Sequence, residues 1–292
     1  MQEYISLRSK TTMKIGGTAR YYAELKTKED VEETYKFSRE KNLPLVILGA
    51  GSNTIFADNN IDACVIKTVA DAVTIDANRV TVQTGKYLAV LINELAEQGL
   101  DLSPLTGIPG TIGGAIFGNA GQGFGGTWID AFVESVEVFD GAWKTFSKND
   151  CAFAYRTSAF KGMHSPFIWE CVLKVPRHTK EEIQAEVERL LKKRIETQPH
   201  VKTAGSCFLS VSKESPAWKL IDAVGLRGLK IGDVEISAKH ANFLINTGHA
   251  SYEDVKKIIR HIQEHVPEPL HVEMRLIQTD GTEEPHHSGA AM

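Results

Sequence analysis

Between Gly107 and Gly121 the chain reads Gly-Ile-Pro-Gly-Thr-Ile-Gly-Gly-Ala-Ile-Phe-Gly-Asn-Ala-Gly, and no other stretch restricts the fold as strongly. Glycine loses more conformational freedom on folding than any other residue, so such density is costly unless the backbone must approach something closely. A run of this kind lets a large flat ligand, or its phosphates, lie against main-chain N–H groups. Thr111 and Asn119 are available there as additional hydrogen-bonding groups. A purely structural loop is the competing reading. A second glycine loop lies upstream, where Pro44 opens a short buried strand over Leu45 to Leu48 that runs directly into Gly49-Ala-Gly-Ser-Asn-Thr54. Consecutive N–H groups of such a loop can point into one concavity and hold a diphosphate. On its own it reads equally well as a tight turn.

At 292 residues the chain has room for about two domains. Its 42% hydrophobic residues are enough for a real core, and a net charge of −4 gives the whole protein no general attraction for nucleic acid or anionic lipid. Met1 to Lys14 is polar and unlike a signal peptide, and no apolar run approaches the ~18 residues of a membrane span. Cys64, Cys151, Cys171 and Cys207 are scattered, without paired or ligand-like spacing. These features predict a reduced, cytoplasmic location, no disulfide framework and no metal.

The periodicity predicts a helix over Glu29 to Lys41, with Val31, Tyr35 and Phe37 recurring among charges, and strand-like runs at Cys64 to Lys67, Ala72 to Ile75 and Val80 to Gln83. A helix over Leu88 to Gln98 ends at Gly99, where glycine suits a left-handed cap. Strands follow at Phe132 to Phe139 and Phe167 to Val175. Then comes a charged amphipathic helix over Thr179 to Arg194, with Thr179 as N-cap and Glu181 and Glu182 in its first turn. The domain boundary is expected at the end of this helix, before Gln198-Pro199. Beyond it the pattern is strand, helix (Pro216 to Val224), strand (Asn242 to Asn246), helix (Tyr252 to His265) and strand (His271 to Gln278), and the tail from Asp280 to Met292 is expected to fray. An α+β protein in two or three lobes accounts for this order.

Gly121, Gly123 and Gly126 match G-x-G-x-x-G, but no strand precedes them, so they are not read as a dinucleotide fingerprint. His261 and His265 have metal-like i, i+4 spacing, but Ile262 stands where a zinc peptidase would carry Glu, and a solvated helix face is the reading adopted. Arg156, in Tyr155-Arg-Thr-Ser-Ala-Phe-Lys161, is a potential anion clamp or a solvated loop cation. Ser206 stands beside Gly205 where a new lobe begins, and an ordinary loop serine is its plain alternative. Glu273 sits in a largely apolar strand, on the face opposite Val272 and Met274; it is solvated, paired with a cation, or functional.

Taken together these fragments resemble the UDP-N-acetylenolpyruvoylglucosamine reductase family, in its shorter subtype. The matching stretches are Thr12-Met-Lys-Ile-Gly-Gly17, Leu48-Gly-Ala-Gly-Ser-Asn53, Gly107 to Ala115, Asn119-Ala-Gly121, Tyr155 to Lys161, Gly205-Ser-Cys-Phe208, Ser237-Ala-Lys-His-Ala-Asn-Phe243 and Glu273-Met-Arg275. They fall in the family's order from about residue 10 to 277. The resemblance implies a two-lobed FAD-binding domain of the vanillyl-alcohol-oxidase type over residues 1–196, with lobes of about 1–70 and 71–196. A smaller α/β substrate-binding domain over 197–279 follows. The cofactor-binding residues it implies are Gly49, Ala50, Gly51, Ser52, Asn53, Thr54, Gly107, Pro109, Gly110, Thr111, Gly113, Gly114, Asn119 and Gly121.

The resemblance also implies an activity. NADPH reduces the flavin, which passes hydride from N5 to C3 of the enolpyruvyl group of a UDP-sugar, giving UDP-N-acetylmuramate for peptidoglycan synthesis. Arg156 and Glu273 match the pair that stabilises the enolate-like charge, and Ser206 matches the proton donor to C2. No nucleic acid or membrane partner is implied, and a monomer is favoured. Two departures stand out. Leu209-Ser210-Val211 replaces the family's usual Lys-Asn-Pro, and Thr11 stands where Asn is usual. The first leaves open a different FAD oxidoreductase on the same fold, or a non-catalytic descendant that binds a nucleotide sugar.

Overall fold

The computed structural model describes residues 1–123 and 126–284. Strands β1 (Gln2–Ser6) and β2 (Thr18–Leu25) precede helix α1 (Lys28–Lys41), and β3 (Leu45–Leu48), β4 (Thr54–Phe56), β5 (Asn60–Thr68), β6 (Val73–Asp76) and β7 (Arg79–Gln83) follow it. Helices α2 (Leu88–Ala96) and α3 (Ile112–Phe117) lead to β8 (Val133–Phe139), β9 (Trp143–Ser147) and β10 (Phe167–Lys174). The chain continues through α4 (Lys180–Thr197), β11 (Thr203–Ser206), α5 (Ala217–Ala223), β12 (Lys230–Ile231) and β13 (Val234–Ile236). It then forms β14 (Phe243–Asn246), α6 (Tyr252–His265) and β15 (Arg275–Ile277). The class is α+β, as the sequence pattern predicts.

Two compact units divide the chain. A glycine-rich unit comprises Ala23–Ala50 and Ile66–Arg194, and a terminal unit comprises Met1–Tyr22, Gly51–Val65 and the chain from Ile195 onward. A four-stranded sheet has the order β1-β2-β5-β3, and β2 and β5 are the strands in which the chain passes from one unit's residues to the other's.

In the glycine-rich unit an antiparallel sheet runs β6-β7-β10-β8-β9. Alternation puts Val80, Val82, Val136, Val138, Cys171 and Leu173 into one core with Leu88, Leu91, Ile92 and Leu95 of α2 and Ile112 and Ile116 of α3. Each such aliphatic side chain contributes about 1.5–3 kcal/mol of burial. A smaller cluster gathers Val31 and Tyr35 of α1 with Phe139, Phe167 and Trp169. The buried stripe of α1 is Val31, Thr34, Tyr35 and Ser38, whereas Phe37, expected in it, is half-buried beneath Lys41. The helix begins at a Thr27–Asp30 capping box and ends at Asn42, whose φ of 52° is the left-handed cap before Pro44. Thr27→Ala would cost about 1 kcal/mol. At α4, Thr179 caps as expected: Glu182 N donates to Thr179 Oγ1, and the Glu182 carboxylate accepts from Thr179 N.

In the terminal unit an antiparallel sheet runs β11-β14-β13-β12, and β15 pairs in parallel with β4, Arg275 opposite Thr54. Helix α6 has the bounds the sequence predicts. It opens at a Ser251–Asp254 capping box, buries Val255, Ile258, Ile259 and Ile262, and donates Tyr252 N to Asp58 Oδ2 at 2.7 Å. Two expectations are corrected here. The strand over His271 to Gln278 shortens to β15 plus a bridge at Val272, because Glu273 and Met274 lie outside the ladder. The start of the tail does not fray: Gln278 N donates to Thr282 O, Glu284 N to Leu276 O, and Arg275 pairs with Glu283 at 3.0 Å. Residues 285–292 of that tail lie outside the described residues. Among those described, no helix is long and apolar enough to cross a membrane, and the four cysteines are buried and free.

Candidate functional site

In the glycine-rich unit the two glycine loops meet. A Cβ on Gly49 would stand 2.8 Å from Thr111 Oγ1, so only glycine lets the turn after β3 lie against this buried threonine. Thr111 itself is the N-cap of α3, its hydroxyl accepting from Gly114 N at 3.4 Å. The glycine-dense stretch thus contains a short helix that periodicity did not reveal. Gly110 has φ +123°, and a Cβ on Gly113 would touch Thr84 at 3.0 Å. Gly114 is exposed. Pro109 is exposed as well, while Asn119 is 2% exposed and its amide is engaged at both ends: Nδ2 donates to Ala154 O and Oδ1 accepts from Asp130 N. Asn119 therefore shapes the loop through its side chain.

The same contacts bring the Tyr155 to Lys161 segment to that loop. Arg156 Nη2 donates to Gly121 O at 3.3 Å and its guanidinium lies 5.5 Å from the centre of the Trp128 ring. Lys161 Nζ donates to Arg156 O and Ser158 Oγ to Phe117 O. Arg156 has φ 53° and Asn119 φ 41°, both in the left-handed region that non-glycine residues avoid. Such backbone strain persists only where the surroundings over-determine it, and it gathers at functional sites. Arg194, which the sequence reading left as the end of a charged amphipathic helix, folds its stem across Gly107: a Cβ there would lie 2.3 Å from Arg194 Cδ. Its Nη1 donates to Gln122 Oε1, and burial, then the charge of Arg156, lower its pKa to about 10, so it stays charged at neutral pH.

In the terminal unit Gly51, Ser52, Asn53 and Thr54 run into β4. Gly51, at φ +68°, passes 2.3 Å (measured from an added Cβ) from Lys10 O, a second place where only glycine fits. Asn53 Nδ2 donates to Glu273 O at 3.1 Å and Asn53 O accepts from Arg275 N at 2.9 Å. Glu273 N donates to Cys207 O, and Phe208 bridges to Val272. Ser206, at the end of β11 after Gly205 (φ +79°), is therefore one residue from the backbone partner of Glu273. Ser206 and Glu273 are both half-buried. Cys207 is wholly buried, and burial, then the charge of Glu273, raise its thiol well above the usual range.

Asn242 holds this arrangement and was not singled out from the sequence. Its O accepts from Cys207 N, and its buried side chain brackets Phe208, Oδ1 accepting from Phe208 N at 2.9 Å and Nδ2 donating to Phe208 O at 2.8 Å. Leu209, where the resemblance expects lysine, donates its N to His271 O and leads into a turn with Val211 49% exposed. Thr11 is buried, and its hydroxyl donates to Ile15 O at 3.1 Å.

These residues fit a phosphorylated flavin. The loops 49–54 and 107–121 contain no Asp or Glu, as a diphosphate requires, and their glycines leave backbone where side chains would block approach. Residues 19–143 match the family model described as an FAD binding domain. The chain is an FAD-dependent oxidoreductase. Residues 196–276 match a second model, the UDP-N-acetylenolpyruvoylglucosamine reductase C-terminal domain. Proteins carrying that enzyme name include one from Thermotoga sp. (strain RQ2), 37% identical over 90% of this chain and 88% of its own. Another, from Chlamydia muridarum, is 33% identical over 95% of this chain and 94% of its own. The crystal structure of the Thermus caldophilus reductase superposes with a TM-score of 0.81 at 34% identity, covering 94% of this chain and 98% of that one. The chain belongs to the UDP-N-acetylenolpyruvoylglucosamine reductase family.

Proposed function

We propose that this protein reduces the enolpyruvyl group of UDP-N-acetylglucosamine enolpyruvate to give UDP-N-acetylmuramate, taking electrons from NADPH, as a cytoplasmic monomer in peptidoglycan precursor synthesis. The observation that supports the reading is the main-chain tie of Glu273 to Cys207, the neighbour of Ser206, and to the Asn53 side chain of the glycine loop, which brings the backbone of these three segments together. FAD, when bound, supplies the two-electron carrier that accepts hydride from NADPH and delivers it to C3. The loops 49–54 and 107–121 bind and orient it through main-chain groups.

Hydride addition at C3 leaves negative charge at C2, delocalised into the substrate carboxylate. Preorganised charge is most effective where charge develops in the transition state, and Arg156, a permanent cation held by Gly121 O and Trp128, has that role. Glu273 orients the cation or the enolate by hydrogen bonding. Ser206 gives its hydroxyl proton to C2. A serine is a weak acid, but the carbanionic carbon is a strong base, so no tuning of the hydroxyl is needed.

Leu209 in place of a lysine supports one second reading, an FAD oxidoreductase of the same fold that takes another acceptor. Anaerobic half-reactions decide between them. The reading requires a yellow protein that bleaches with NADPH and recolours on adding the UDP-enolpyruvyl sugar. A protein that bleaches and stays bleached refutes the substrate assignment.

A further inference from the structure

The i, i+4 histidine pair on α6 gains two features that spacing alone did not reveal. Glu264 joins it: one ligand-type atom from each of His261, Glu264 and His265 lies within 4.8 Å of the others. The two imidazole rings are 4.0 Å apart between centres, tilted by 33°. Second, His265 Nδ1 is 2.8 Å from His261 O. A carbonyl oxygen only accepts, so Nδ1 carries the proton and the lone pair of the neutral ring is on Nε2. Metal-binding histidines are commonly fixed in this way, by an outer hydrogen bond from the ring nitrogen that does not ligate.

The backbone beneath is held. Ile258, Ile259 and Ile262 are buried on the other face, Val266 is 4% exposed, and Gln263 Nε2 donates to Leu270 O at 2.8 Å. Glu264 and His265 face solvent and His261 is half-buried, so an ion reaches all three without any rearrangement of the core.

We propose that His261, Glu264 and His265 form a surface site for one divalent transition-metal ion of the zinc class, held by two imidazole nitrogens and one carboxylate oxygen. Water completes the tetrahedron. Two nitrogen donors favour Zn²⁺, Ni²⁺ or Cu²⁺ over Mg²⁺ and Ca²⁺, which take oxygen ligands. In the loaded site the donors would stand at metal–ligand distances of about 2.0–2.2 Å. The order His-x-x-Glu-His also occurs in inverted zinc-peptidase signatures. Here it stands on an outer helix face, and the proposal assigns it binding and no hydrolysis.

The test is calorimetric titration of chelator-treated, FAD-loaded protein with Zn²⁺, with Mg²⁺ as the comparison ion. One equivalent of Zn²⁺ should bind, Mg²⁺ at the same concentrations should give no heat, and His261→Ala and His265→Ala should each weaken binding at least ~10-fold. The flavin spectrum and far-ultraviolet circular dichroism should be the same in all variants, since the substituted groups are on the surface. The double substitution His286→Ala/His287→Ala, which removes two histidines that are consecutive in the sequence and not assigned to the site, should leave the affinity unchanged. Zn²⁺ affinity that survives His265→Ala, or that disappears with the His286/His287 pair, overturns the proposal.

Discussion

Replacing Asn242 with alanine would strip both hydrogen bonds from the main chain of Phe208, two residues beyond the proposed proton donor. Phe208 is 1% exposed and Asn242 5%, so its N–H and C=O would both lose their partners away from bulk water. An orphaned buried polar group costs about 1–3 kcal/mol. Two of them, partly relieved by water entering the space the amide leaves, give an expected local loss of about 2–4 kcal/mol. At 1.4 kcal/mol per tenfold, that corresponds to roughly a 30- to 700-fold fall in protection of the Phe208 amide. Hydrogen exchange read by mass spectrometry on a peptide spanning Phe208 measures it directly. The same variant should keep flavin reduction by NADPH near the wild-type rate and slow reoxidation by substrate, because Ser206 loses its fixed support. A fall in protection of less than about fivefold, near 1 kcal/mol, would refute the bracket's assigned role.

Ser206→Ala should leave flavin reduction nearly intact and slow reoxidation by orders of magnitude, since only the second half-reaction needs a proton at C2; Glu273→Gln should act on the same half, and stopped-flow traces with equal losses in both halves would remove these roles. Gly49→Ala places a methyl 2.8 Å from the buried Thr111 hydroxyl, an overpacking of about 1–3 kcal/mol, and should lower flavin retention on ultrafiltration; undiminished retention would show that the loops need no such closeness. Burial, followed by the charge of Arg227, lowers the His240 pKa from 6.5 to about 4, so the unfolded chain binds its proton first as pH falls. Stability from this group is complete above pH 6.5, declines through the window down to about pH 4, and is flat below it, and a His240→Gln variant should show a shallower dependence of urea midpoint on pH in that window.

Helices with long, regular stripes were legible in the sequence. In α6 the apolar positions and the Ser251–Asp254 cap agree, so both ends were readable. Strands β12 and β13 have two and three residues; they pair with each other across Gly232-Asp233, and β13 is held in the sheet by β14, a partner that no local pattern encodes. Helix α3 was hidden because a six-residue segment containing two glycines has little helix propensity and forms where Thr111 caps it and Ile112 and Ile116 reach the core. Arg156, Ser206 and Glu273 took their roles from resemblance, since Arg156 and Ser206 read equally well as ordinary loop residues and Glu273 as a solvated or cation-paired carboxylate. Asn242 and Arg194 act through partners 34 and 72 positions away, Phe208 and Gln122, and nothing near them in sequence marks those meetings.

The terminal unit is assembled from stretches at both ends of the chain, and its parallel pair joins β4 to β15. At 5–20 residues per second a ribosome takes roughly 10–45 s to make what separates Phe56 from Ile277. Through that interval β4 has its sequence but not its partner, whereas the whole of the glycine-rich unit is complete once Arg194 has emerged. A nascent chain arrested before Arg275 therefore carries one finished half and one unmatched strand edge, the kind of intermediate that chaperones bind and proteases remove. Loss of the chain from Arg275 onward should thus abolish accumulation of the protein in cells, well before any effect on chemistry could be measured.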